Sequence, residues 1–177
     1  MLNKKGYKVT SFGTNTMIKI PGATASTPNS YAFGTSYEAI AADLQAKDPN
    51  LYRQNGLLQL LGRNAELKPA PQRFQDRGEI DDDLIVTCEE KCYDIVMEDL
   101  LQRGGLDKGR TVHLVNFDII DSHEEATLGA RAILDFIQNI ENKKTLSLDE
   151  AIADSYEEHL SGQAAAVYKT LYSVHFV

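Results

Sequence analysis

Two cysteines are all that the 177 residues hold, no apolar run approaches 18 residues, and basic side chains are outnumbered 18 to 26 by acidic ones. Each shortage excludes something. Two cysteines cannot build a disulfide scaffold. Cys88 and Cys92 have no matching Cys or His pair elsewhere, which argues against structural zinc. His123-Glu124-x-x-Thr127 imitates HExxH but lacks the second His at i+4. No metal or other cofactor is expected. No segment is long and apolar enough to cross a membrane as a helix, and residues 1–10 lack the apolar core of a signal peptide. A net charge of −8 argues against direct binding of nucleic acid. The remaining expectation is a soluble protein of a reducing compartment.

What is present reads as one globular domain spanning 1–177, with 42% apolar and 25% charged residues. The charge is uneven. Residues 1–63 carry 7 basic and 3 acidic side chains, whereas residues 64–177 carry 11 and 23. An anionic ligand is better received by the N-terminal third.

Residues 2–6 look like the last turn of a helix stopped by Gly6. Residues 7–14 alternate like a strand, residues 17–20 suggest a second short one, and a loop follows to Gly34. Ser36 opens a helix to about Lys47. Residues 50–63 predict another, whose many leucines suggest either a core face plus a partner or substrate wall, or deep burial on all sides. Residues 84–86 predict a short buried strand. Thr87 with Glu90 then makes a capping box for a helix to about Arg103, stopped at Gly104-Gly105. Residues 112–119 (VHLVNFDI) are the clearest buried strand. Ser122 with Glu125 opens a helix to about Ile140, and a third long helix starts near Ser147. The tail, 171–177, leans to β structure. Short strands alternating with helices predict an α/β fold, a parallel sheet flanked by helices. Ligands in such sheets sit at the C-terminal strand ends, just after Val86 and Phe117.

Two phosphate motifs fail. Residues 104–111 (GGLDKGRT) imitate a P-loop but follow a helix and enter a strand, the reverse of what a helix dipole facing phosphate requires. A cysteine phosphatase needs Cys-x5-Arg, whose amides and guanidinium cradle phosphate. Six residues after Cys88 stands Asp94, and six after Cys92 stands Glu98. Both cysteines read as small packing residues. Asp118-Ile119-Ile120-Asp121 fares better. Two carboxylates three apart, at the ligand edge, suit an acid and its orienting partner, or else Asp121 and Ser122 simply cap the next helix.

Six stretches, in order along almost the whole chain, carry a family resemblance: residues 11–14 (SFGT), 19–22 (KIPG), 55–64 (NGLLQLLGRN), 68–74 (KPAPQRF), 87–94 (TCEEKCYD) and 115–129 (VNFDIIDSHEEATLG). They resemble the serine phosphatases of the RNA polymerase II C-terminal domain that belong to the cleavage and polyadenylation factor. The resemblance implies a low-molecular-weight tyrosine-phosphatase-like fold. It implies removal of phosphate from the fifth-position serine of the heptad, before a cis Ser-Pro bond, through a cysteinyl phosphate and without metal. It implies work in the nucleus, in mRNA 3′-end processing and transcription termination, on the phosphorylated C-terminal domain and beside a scaffold subunit of the complex. Position by position, Asp121 resembles the general acid and Asp118 its supporting neighbour, while Lys19, Ile20 and Pro21 resemble the lip of the substrate groove.

The family pattern also contains what these residues do not. A first strand, a Cys-x5-Arg-Ser loop and most of a first helix precede the segment matched here, about two dozen residues, so no nucleophile is expected within this chain. Gly62 stands where the family usually has Asp. The expectation is a phosphatase by family whose 177 residues are inactive alone. The alternative is a noncatalytic module that binds the scaffold.

Overall fold

Four helices begin where a short polar side chain accepts a backbone N–H: Ser36, Asp48, Ser122 and Ser147. Ser147 and Glu150 form a complete capping box. The computed structural model describes residues 1–24, 26–104, 109–162 and 168–177. They gather into two units, Thr10–Arg77 and Met1–Val9 with Gly78–Val177.

In Thr10–Arg77, β1 (Ile18–Ile20) pairs antiparallel with β2 (Asn29–Tyr31), and three helices follow: α1 (Tyr37–Lys47), α2 (Pro49–Gln54) and α3 (Leu57–Ala65). The core is Ile20, Tyr37, Ile40, Leu44, Tyr52 and Leu61. Three expectations change here. Residues 50–63 form two helices, because Gly56 takes a left-handed φ of 78° and the Asn55 side chain accepts the N–H of Leu57 to restart the helix. Residues 7–14 form no strand. Only Gly13 finds a ladder partner, exchanging hydrogen bonds with Gln72 and Phe74. The expected loop to Gly34 contains β2. Of the leucines, Leu61 is buried, Leu57 and Leu58 pack partly on the core, and Leu60 is 40% exposed.

The other unit opens with a 3-10 turn, Leu2–Lys5, ended by Gly6 at φ 89°. Then come β3 (Leu84–Thr87), α4 (Glu90–Arg103), β4 (Thr111–Phe117), α5 (His123–Asn142), α6 (Leu148–Ser161) and β5 (Thr170–Phe176). The sheet order is β3-β4-β5. β3 and β4 are parallel, joined through α4 as a βαβ unit. β5 departs from the expected all-parallel sheet. Two helices separate it from β4, so the chain re-enters beside Phe117 and runs antiparallel, with Thr170 opposite Phe117. β4 is the central strand. Val115 and Phe117 pack with Phe136 and Tyr156, and Val112 and Leu114 are also fully buried. The Thr87–Glu90 capping box does not form. The Thr87 hydroxyl donates instead to Asn116 Oδ1 across the ladder, at 2.8 Å, and Glu89 is the N-cap of α4. The P-loop imitation and Gly105 fall largely on residues 105–108, outside the described residues.

Candidate functional site

The carboxylates sit where β4 leaves the sheet. Two backbone bonds extend the ladder past Phe117: the N–H of Asp118 donates to the Lys169 carbonyl at 2.9 Å, and that of Ile119 to the Cys88 carbonyl at 3.1 Å. The segment is thus strapped to the residue before β5 and the residue after β3. Ile119 turns inward onto α5 at Gly129, where an added Cβ would lie 2.3 Å from Ile119 Cδ1. Glycine is what admits the anchor. Ile120, next along, is 71% exposed, and Ser122 starts α5 by accepting the Glu125 N–H. Asp118 and Asp121 are therefore brought into one short loop at the C-terminal edge of the sheet, with Asp121 exposed to solvent. Beneath the loop, Asn116 is wholly buried. Its Oδ1 takes the Thr87 hydroxyl, and its Nδ2 has no partner among the described residues. A donor is left open at that edge.

Lys169 is the residue that sequence reasoning missed. Its carbonyl holds Asp118, and its ammonium meets Glu90 at 2.6 Å. The hydrogen bond to Glu90 raises its pKa, helped by the charges of Glu90, Asp118 and Asp94. It is a cation set among carboxylates beside the loop. No local signal could reveal this, because the pairing of β4 with β5 joins residues about fifty apart.

Cys88 follows β3 and is exposed, so it is not the packing residue expected, while Cys92 is half-buried in the first turn of α4. Loss of hydration pushes the Cys88 thiol up, and the nearby Cys92 adds to the effect. Cys92 directs its thiol toward Glu89 Oε2 at 3.7 Å. A raised pKa beside acidic groups is the opposite of an activated thiolate.

Lys19, Ile20 and Pro21 lie in the other unit and form one continuous wall. With Gly22, Ala23, Thr24 and Pro28 they line an open groove of about 450 Å³. The three differ in role. Ile20 is 8% exposed and anchors in the core, while Lys19 and Pro21 are exposed. Gly22 is dictated by crowding, since a Cβ there would lie 1.9 Å from the Thr27 carbonyl oxygen.

The family model described as Ssu72-like protein matches residues 1–177. The chain belongs to the Ssu72-like family. It is 40% identical over 179 residues to ssu72 of Schizosaccharomyces pombe, a protein named as a phosphatase of the RNA polymerase II C-terminal domain, covering 99% of this chain and 87% of that one. The Drosophila melanogaster structure described as the serine phosphatase of the RNA polymerase II C-terminal domain superposes with a TM-score of 0.89 at 40% identity, over 99% of this chain and 89% of that one. A Drosophila melanogaster Ssu72 solved with Symplekin and a cis peptidomimetic of the C-terminal domain, phosphorylated on its fifth-position serine, gives 0.88 at 39% identity, over 99% and 88%. The family resemblance and the α/β fold expected from the six stretches are thereby borne out.

Proposed function

We propose that this Ssu72-like chain is the body of a protein serine phosphatase for the phosphorylated RNA polymerase II C-terminal domain, acting at the fifth-position serine of the heptad before a cis proline. The match along the whole chain to phosphatases of that name carries the reading, and a carboxylate loop at the ligand edge of the sheet supports it. In this reading residues 1–177 serve as one phosphatase domain. Asp121 is the general acid. It gives its proton to the serine oxygen as the P–O bond breaks, because an alkoxide is a very poor leaving group. Asp118 supports it from the same loop. Lys19, Ile20 and Pro21 shape the groove that receives the substrate chain. The protein works in the nucleus, in 3′-end processing and termination, beside the scaffold subunit of the processing complex.

The nucleophile is assigned to no residue of this chain. Neither cysteine is followed by an arginine at the sixth position, and the Cys88 thiol is pushed up in pKa, away from thiolate. The 177 residues alone should release no phosphate from a heptad peptide phosphorylated on its fifth-position serine. Joined behind a strand and a Cys-x5-Arg-Ser loop, they should release it. Release by the unextended chain that vanishes in Cys88→Ser would overturn the missing-nucleophile reading. No release by the extended chain would favour the noncatalytic scaffold-binding module, the second reading that the absent motif leaves standing.

A further inference from the structure

The β1–β2 hairpin that ends in the lip turns two different faces outward and inward. The register sets Ile18 opposite Tyr31, Lys19 opposite Ser30 and Ile20 opposite Asn29. Ile20 points into the core, so Asn29 and Tyr31 share its inward face. They meet polar partners there. The Asn29 amide donates from Nδ2 to the Tyr52 hydroxyl at 2.9 Å and, more weakly, to the Pro21 carbonyl at 3.4 Å. Its Oδ1 accepts from Lys47 Nζ at 2.9 Å. Lys47 also pairs with Asp43 at 2.6 Å, and Asp43 accepts the Tyr31 hydroxyl at 2.6 Å. The Lys47 ammonium lies 5.7 Å from the Tyr31 ring centroid.

We propose that Asn29 and Lys47 are positioning residues of the substrate lip, fixing the backbone at Pro21 and so the affinity of the groove for a proline-containing phosphoserine peptide. The inference rests on the reading of Lys19 to Pro21 as that lip. A side-chain amide has a donor end and an acceptor end, and here the two are told apart. An ammonium can only donate, so Lys47 forces Oδ1 toward itself and the NH2 toward Pro21. Reversed, the amide would set oxygen against the Pro21 oxygen and NH2 against a cation. Proline has no N–H, so the carbonyl is the sole backbone polar handle on that residue. Holding it sets the plane of the Pro21–Gly22 peptide. At Gly22, the other residue of that peptide, an added Cβ would lie 1.9 Å from the Thr27 carbonyl oxygen. The Pro21–Gly22 peptide is thus held by Asn29 and has little room to spare at Gly22. Apolar burial of Ile20 sets the depth of β1, while directed hydrogen bonds set its rotation, which nondirectional burial cannot do.

The test follows the backbone amides of Lys19, Ile20 and Gly22 by NMR in the 177-residue chain as a heptad peptide phosphorylated on its fifth-position serine is added. Lys47→Met should weaken binding about 5-fold or more, on the scale of a lost charged hydrogen bond. The Lys47 side chain is 49% exposed, so the variant should keep its fold. Lys47→Arg should restore affinity to within about 2-fold, since a guanidinium also only donates. Asn29→Ala should weaken binding likewise, and Asn29→Ala with Lys47→Met should be no worse than Asn29→Ala alone, as expected of two residues acting through one amide. Wild-type affinity in Lys47→Met overturns this inference and leaves the lip standing. A wild-type chain whose lip amides do not respond to peptide overturns the lip reading, and the inference with it.

Discussion

The acid loop after β4 is fastened by its backbone, whereas the lip after β1 is fastened by side chains. At the acid loop, the N–H groups of Asp118 and Ile119 continue the sheet, and one apolar side chain, Ile119, is seated at a glycine. Among the described residues no hydrogen bond from the Asp118 or Asp121 side chain holds the loop, which leaves both carboxylates for chemistry. At the lip, two exposed residues flank one buried anchor, and a cation and an amide behind them set the geometry. Backbone fastening suits a group that must reach one atom of a reaction. Side-chain fastening suits a surface that must match a peptide.

The largest expected effects test that division of labour. In a chain joined behind a Cys-x5-Arg-Ser loop, Asp121→Asn should lower kcat on a phosphoserine peptide by about 10²- to 10⁴-fold, the usual value of a positioned acid. The loss on p-nitrophenyl phosphate should be much smaller, because that leaving group needs little protonation. Lys19→Ala should instead raise KM with kcat nearly unchanged, as expected of uniform binding. An equal loss on both substrates, or a larger loss from Asp118→Asn, would show the wrong carboxylate to be named. A kcat effect from Lys19→Ala would erase the contrast between loop and lip.

A smaller effect separates two glycines. Gly129→Ala puts a methyl against three atoms of Ile119 and should destabilise by about 1–3 kcal/mol, as overpacking does, while shifting the amide resonances of residues 118–122. Gly62, within α3, has nothing within 4 Å of an added Cβ. Gly62→Ala should therefore stabilise by about 0.5–1 kcal/mol, by helix propensity and by a less flexible unfolded chain. Urea unfolding measures both. A neutral Gly129→Ala would mean that Ile119 is not the anchor of the acid loop.

Local signals make much of this fold and site legible in the sequence. Ser36, Ser122 and Ser147 are caps because each bond closes within three residues, and β4 shows by its cluster of Val112, Leu114, Val115 and Phe117, apolar on both faces because both are covered. The Asp118–Asp121 pair stands out because the strand end and the helix start bracket it. What stays hidden is nonlocal or patternless. Thr87 looks like a cap, but its hydroxyl finds Asn116, 29 residues away. β2 is three residues, Asn-Ser-Tyr, too short to show a period, and it forms because β1 offers it a ladder. Lys169 joins the site only through the pairing of β5 with β4. The two sides of the lip, outward Lys19 and inward Ile20, follow from register, which no stretch of sequence states by itself.

The smallest effect concerns acid. The Lys47 hydrogen bond, with that of Tyr31 behind it, holds the Asp43 carboxyl below its ordinary value of 3.8. A carboxyl lowered on folding contributes stability that is fully present above that ordinary value and is lost as pH falls through the folded-state value. Asp43 is open to water, so the contribution is modest and should shrink further as salt is added. Asp43→Asn should flatten the fall of stability below about pH 3.8 without changing it near neutrality beyond the loss of the pair. The amide resonances of Pro21's neighbours, Ile20 and Gly22, should move with the same titration, since Asp43 steadies Lys47 and Lys47 orients Asn29. Asp43→Asn should abolish that movement at Ile20 and Gly22 and leave the amides of Asp118 and Ile119 as they are in the unsubstituted chain, because their bonds end on the backbone carbonyls of Lys169 and Cys88 and not on Asp43 or Lys47. If Asp43→Asn altered the acid loop and left the lip in place, the assignment of backbone fastening to one and charged side-chain fastening to the other would be reversed.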